Sequence, residues 1–279
     1  MSRVYRALEK AEEEKRQNLK EEPAIKVFEE KAFLKKEPSI LRFPDEKIEA
    51  FGLPAKEEAP ISIVSLNSFA AEEFRKLKTQ IFRVLSNPPH SILITSVAPG
   101  EGKTMVAVNL SMAISREIHG KPILIDADIR KPSIHLEKNP NSNGLSNYLS
   151  DGIPLSEALI DSEIENLRII PAGPQTSRSS ELIGSKKMGE LLKSLKESEG
   201  STYIIIDSPP IISTTEPILL SRMVDGVILV VKANQTPRET ISRAIKGLER
   251  QKTIGIVFNQ IDLRPSSYYS KYYYKYHRK

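Results

Sequence analysis

A doubly wound α/β fold, with a mostly parallel sheet covered by helices on both faces, is what this sequence of 279 residues predicts. Three observations carry the prediction. Short runs rich in Ile and Val recur at 91–95, 122–126, 167–170, 203–207, 227–231 and 254–258, without polar alternation, as strands buried on both faces require. Helical stretches separate them, and parallel neighbours need such crossovers. A glycine-bearing loop joins the first run to the first helical stretch, as at the nucleotide sites of such folds.

The first helix is expected from Gly102 to about Ile118, ending near Gly120. Another opens at Thr236-Pro237-Arg238-Glu239, which reads as a capping box with proline at the first helical position. Ile241, Ala244, Ile245 and Leu248 supply its buried stripe. No internal repeat is evident. The α/β pattern occupies residues 61–263. Residues 1–60 are dense in charges of both signs and hold Pro23, Pro38, Pro44, Pro54 and Pro60, so they read as a flexible arm. Val4, Ala7, Leu8 and Ala11 mark a short helix there, which either frays or docks on a partner. Residues 264–279 form a basic tail with a cluster of tyrosines.

Composition removes several functions. The chain has no cysteine, which excludes disulfides, iron–sulfur clusters, cysteine-ligated zinc and a thiol nucleophile. The longest apolar run is 227–231, too short to span a bilayer, and the first residues lack a signal-peptide core. The expected location is cytoplasmic. The net charge of +5 is carried by Arg264, Lys271, Lys275, Arg278 and Lys279, with no acid among residues 264–279. The body is therefore neutral, which argues against nucleic-acid binding through bulk charge.

The strongest chemical signal is Pro99-Gly100-Glu101-Gly102-Lys103-Thr104, after a strand and at a helix start. A phosphate chain needs close backbone approach, inward N–H groups and a cation over its outer phosphates. Gly100 and Gly102 provide the turn, Lys103 the cation and Thr104 a hydroxyl for Mg²⁺. Val97 stands where the usual pattern has its first glycine, and Met105 excludes a dinucleotide fingerprint. A second strand ends in Asp126 and Asp128, which share a face in an extended segment. Such a pair beside a triphosphate can hold Mg²⁺ and accept a hydroxyl proton. A third apolar strand ends in Asp207, expected to serve magnesium either directly or through a bound water. Asn259 follows the last strand, where it could read an adenine edge or cap a turn. Six of the nine tyrosines, Tyr268, Tyr269, Tyr272, Tyr273, Tyr274 and Tyr276, lie within nine residues and without aliphatic companions. They read as a sticky tail, an RNA-binding segment or a set of phosphoryl acceptors.

As a set these motifs resemble the bacterial tyrosine kinases of capsule and exopolysaccharide synthesis. The resemblance covers about residues 62–263 and the tail. It rests on PGEGKT, DADIRKP, NGLSNYL, PAG with SELIGS, IIIDSPP and VDGVILVV. It implies a P-loop NTPase of the SIMIBI class, ParA/MinD-like in fold, that uses ATP and Mg²⁺ to phosphorylate its own tyrosine cluster in trans. It places nucleotide contacts on Pro99 to Thr104, with Asn259, and metal contacts on Thr104, Asp128 and Asp207. Catalytic roles fall to Lys103, Asp126 and Asp128, with Asp126 or Asp128 nearest the tyrosine hydroxyl. Arg130 is expected to fix the aspartate loop. The family's oligomer-contact helix falls on Glu72, Arg75 and Lys78, where lysine replaces arginine. Glu216 stands where relatives often have Asp. The resemblance further implies a homo-oligomeric ring, a separate membrane chain-length regulator that recruits and activates the chain, and a tyrosine phosphatase. Two other functions share this fold: a positioning ATPase of the ParA/MinD type, whose signature lysine position is Ala98 here, and a nucleotide-dependent export adaptor without kinase activity.

Overall fold

The fold comes from a computed structural model of the chain, which describes residues 64–65, 68–117, 120–134, 143–198 and 202–261. The expected N-terminal arm and helix, and the tyrosine tail, lie outside the described residues. Seven strands form one sheet: β1 (Ser91–Ser96), β2 (Lys121–Asp126), β3 (Ile160–Asp161), β4 (Arg168–Ile170), β5 (Thr202–Asp207), β6 (Gly226–Lys232) and β7 (Thr253–Asn259). Their order is β3-β4-β2-β5-β1-β6-β7. Every neighbouring pair is parallel except β3 with β4. The sequence shows every strand but β3, whose two residues are too few to display any period.

The helices are α1 (Phe69–Thr79), α2 (Lys103–Ser115), α3 (Leu145–Ser150), α4 (Leu155–Ala158), α5 (Ser179–Ile183), α6 (Lys186–Glu197), α7 (Glu216–Met223) and α8 (Arg238–Gly247). Along β1, Ile92 and Ile94 face one side and Leu93 the other. The first pair packs with Val106, Leu110 and Ile114 of α2. Leu93 packs with Leu191 and Leu192 of α6 and Leu220 of α7. Both faces are covered, so the strand's period of two leaves no polar trace in the sequence. Helix α2 is buried around nearly its whole circumference, which makes it the central crossover. It stops at Ser115, short of the expected end. Among the described residues no helix is long and apolar enough to cross a membrane.

The expected capping box of α8 does not form. Pro237 is the N-cap, without a side-chain cap bond. Thr236 instead donates its hydroxyl to Glu101, because a buried carboxylate is a stronger acceptor than anything the helix end offers a hydroxyl. Strands β2, β5 and β1 are adjacent, and their register sets Asp126 opposite Asp207 and Asp207 opposite Ile94. Three loops carrying chemistry thus emerge at one end of the sheet, where open α/β sheets bind ligands.

Candidate active site

The loop between β1 and α2 owes its shape to two glycines. Gly100 and Gly102 have φ of +79° and +88°, a left-handed conformation that side chains disfavour. A Cβ on Gly102 would lie 2.0 Å from Asn259 Nδ2, whereas one on Gly100 would meet nothing within 4 Å, leaving that backbone open to a ligand. Val97, at the position of the missing first glycine, is wholly buried and packs with Leu229, Val231 and Ala244. That residue serves the core, so the loop turns later. Pro99 is exposed at its tip. Lys103 and Thr104 open α2, with Gly102 as N-cap, and their N–H groups lie at the positive end of the helix.

Four charged side chains converge there. Lys103 Nζ lies 3.1 Å from Asp128 Oδ2 and 3.9 Å from Asp207 Oδ2. The Thr104 hydroxyl donates to Asp207 Oδ2 at 2.6 Å. Asp207 Oδ1 is buried and has no hydrogen-bond partner. Asp126 is wholly buried, and its carboxylate accepts the N–H groups of Asp128, Ser133 and Ile134 at 3.0, 3.2 and 3.1 Å. Asp128 Oδ1 accepts from Lys131 N at 3.1 Å. Asp126 therefore shapes the loop that presents Asp128. Burial, with the neighbouring Asp207 charge, pushes Asp126 up to about 7. Burial likewise pushes Asp207 up to about 6, against the pull of Lys103 and Thr104. Burial alone would lower Lys103, but Asp207, Asp128 and Asp126 together hold it above the usual lysine value.

The residues fit a nucleotide with a divalent cation. Asp207 Oδ1 is an acceptor without a donor, beside a hydroxyl and a phosphate-type helix start. Among the described residues no cluster of three His, Asp or Glu is arranged as a metal cage. A hydroxyl beside one or two carboxylates suits Mg²⁺, which fills its octahedron with phosphate oxygens and water.

Sequence reasoning left Glu216 unexplained, and the structure gives it a role. The side chain is wholly buried at the start of α7, and its Oε1 accepts from Arg130 Nε at 2.8 Å and Ser179 Oγ at 2.9 Å. Arg130 Nη2 also donates to Ser180 Oγ at 3.1 Å. As expected, Arg130 ties down the aspartate loop, here against α5 and α7. Burial alone would raise Glu216, yet the bonds from Arg130 and Ser179 outweigh it and hold the carboxyl at about 2. A depressed carboxyl contributes stability above its ordinary value of 4.5 and loses it as pH falls toward about 2. Glu216→Gln should thus lose about 2 kcal/mol at pH 7. Urea titrations of both chains should show that gap narrowing as the pH drops below about 4.5; a gap constant with pH would contradict the charged pair.

Other expected residues are placed as follows. The Glu101 side chain points away from the open side of Gly100, accepting from Ala98 N and Lys232 N. Asn259 is the last residue of β7 and not, as expected, the residue after it; it spends its Nδ2 on the Glu101 carbonyl at 2.9 Å, so it braces the loop. Thr236 joins the same brace and carried no sequence signal beyond the capping pattern. On α1, Glu72 and Arg75 pair with each other on the surface, whereas Lys78 turns inward to Glu117 at 2.8 Å. Tyr148 lies under Lys187, and Tyr203 packs on Phe82 with centroids 4.6 Å apart.

A protein-family model described as an AAA domain matches residues 90–258. The tyrosine-protein kinase YwqD of Bacillus subtilis is 31% identical over 219 residues, covering 76% of this chain and 90% of that protein. The crystal structure of the chimerical protein CapA2B2 is 32% identical, with a TM-score of 0.65 over 70% of this chain and 86% of that one. The cell division ATPase MinD of Pyrococcus furiosus, 21% identical with a TM-score of 0.51 over 61% of this chain and 71% of its own, shares the fold. The phosphate loop, the aspartate pair and the third aspartate thus meet in a framework shared with named kinases, and the chain belongs to the bacterial tyrosine-protein kinases, P-loop enzymes with an AAA-type domain.

Proposed function

We propose that the chain transfers the γ-phosphoryl group of ATP, with Mg²⁺, to the tyrosines of its own C-terminal cluster on a neighbouring copy. The observation that carries this reading is the Thr104–Asp207 contact with its spare buried oxygen, set beside Lys103 at the start of α2. Bound Mg²⁺ would offset charge on the β- and γ-phosphates and ease departure of ADP. Thr104 and Asp207, with Asp128, hold it. Lys103 and the N–H groups from Gly100 to Thr104 hold the outer phosphates in line with the acceptor. The phenol oxygen attacks phosphorus, the bond to the β-phosphate oxygen breaks, and the phenol proton passes to a carboxylate. A phenol with pKa near 10 needs such a base. Asp126, pushed up to about 7, takes this proton, and Asp128, slightly the more exposed of the pair, can exchange roles with it. Asn259 Oδ1, its Nδ2 being engaged, suits the amino group of adenine.

The acceptors are Tyr268, Tyr269, Tyr272, Tyr273, Tyr274 and Tyr276. The tyrosines of the described body, Tyr148 and Tyr203, are engaged in ring contacts instead. Tyr268 lies six residues past Asp262, a reach of roughly 20 Å at ~3.3 Å per residue, which favours a neighbour's site over its own. Glu72 and Arg75 on the surface of α1 offer the contact within a ring. The basic tail is drawn to acidic crevices, and each added phosphate contributes about −1.5 to −2 charge, so modification loosens the assembly. A membrane chain-length regulator of polysaccharide export recruits and activates the chain, and a tyrosine phosphatase resets it.

Mixing a Lys103→Met chain that keeps its tail with an active chain lacking residues 264–279 tests the trans reaction. Phosphotyrosine should appear on the inactive chain in the presence of ATP and Mg²⁺. Its absence there, with the intact chain self-labelling alone, would contradict transfer between copies. Light scattering before and after labelling of the intact chain should show a fall in mass.

A further inference from the structure

We infer that Glu101, through Thr236, is a positioning residue that sets the phosphate loop for ATP. The inference rests on the reading that this loop binds ATP. Glu101 is only 3% exposed. Its Oε2 accepts from Ala98 N at 2.8 Å, inside the loop. Its Oε1 accepts from Lys232 N at 3.3 Å, at the end of β6, and from the Thr236 hydroxyl, in the turn that joins β6 to α8. The Glu101 carbonyl in turn accepts from Asn259 Nδ2 at the end of β7. One residue therefore ties the loop to the ends of two strands on the side away from the aspartates.

The chemistry explains why a carboxylate stands there. Three donors approach from different segments, and both oxygens of a carboxylate accept, whereas an amide would turn an N–H₂ toward one of them. The carboxylate also places negative charge near the phosphates, which by itself disfavours ATP. Its structural return must exceed that penalty. Gly100 and Gly102 flank Glu101 in left-handed conformations and carry no side chain to restrain the backbone. Without an external anchor the loop would have to be ordered by the nucleotide, and binding would weaken accordingly. The catalytic groups Lys103, Asp126, Asp128 and Asp207 are not touched by this brace, so the chemical step should be spared.

Thr236→Val removes one arm while keeping shape, and Thr236→Ser restores the hydroxyl. With the full-length chain, a fluorescent ATP analogue gives Kd, and labelling kinetics give KM for ATP and kcat. Thr236→Val should raise Kd and KM about fivefold to tenfold, the loss of one bond to a charged group, with kcat within about twofold. Thr236→Ser should restore both constants. Glu101→Ala should show a larger shift of the same kind; if it fails to fold, the threonine pair still decides. Unchanged Kd and KM in Thr236→Val, or a fall in kcat at constant KM, would overturn the brace. A parent chain that binds no nucleotide would overturn the ATP reading beneath it, a result distinguishable because it precedes any substitution.

Discussion

Lys103→Met should reduce phosphotyrosine formation by at least about a thousandfold, the scale expected when a preorganised charge is removed from a phosphoryl-transfer site. The side chain is nearly buried, 12% exposed, and methionine fills similar space on a helix whose core contacts do not involve it. The fold should therefore persist. Its stability should nonetheless fall, because Asp126, Asp128 and Asp207 are left in a buried cluster without their cation. Breaking a buried pair in this way costs about 3 kcal/mol. Circular dichroism should show a native spectrum with a lowered Tm, and an anti-phosphotyrosine blot should be blank. Residual labelling above about one part in a hundred would defeat the role given to this lysine.

The division between what the sequence disclosed and what it hid has a physical basis. Parallel strands buried on both faces are dense in Ile and Val, so β1, β2, β5 and β6 stand out. Strand β7 carries the same residue types but lies at the sheet edge with Ile256 and Phe258 exposed, contrary to the expectation of burial on both faces, and the two residues of β3 show no pattern. Lys103, Thr104, Asp126, Asp128 and Asp207 were legible because each sits at a strand end or helix start, where spacing along the chain is spacing in the site. Glu216 and Thr236 were not. Glu216 reaches Arg130 across 86 positions and Thr236 reaches Glu101 across 135, and no local period encodes such a meeting. Thr236 was moreover masked by a helix-start pattern it fits and does not use. Lys78 shows the same limit, since a helix-surface spacing cannot tell an outward cation from one bound to Glu117.

Asp207→Asn should move stability and activity in opposite directions. Three buried carboxylates share one lysine, and burial holds Asp207 and Asp126 at about 6 and about 7, far from where isolated aspartates titrate. The cluster is thus a strained arrangement at neutral pH. Asparagine at 207 removes one charge from it and keeps an oxygen to accept the Thr104 hydroxyl. Without nucleotide and with EDTA present, the variant should gain about 1–2 kcal/mol, a rise of a few degrees in Tm. The same change replaces or displaces the spare oxygen Oδ1, the acceptor best suited to Mg²⁺, and should lower kcat by at least about a hundredfold. Lys103→Met and Asp207→Asn would then both be inactive, one less stable than the parent and one more so. That opposition separates an electrostatic site from a merely fragile one, because damage to packing would lower Tm in both. An Asp207→Asn chain that melts below the parent, or that keeps a tenth or more of its activity, would sink this account of the aspartate.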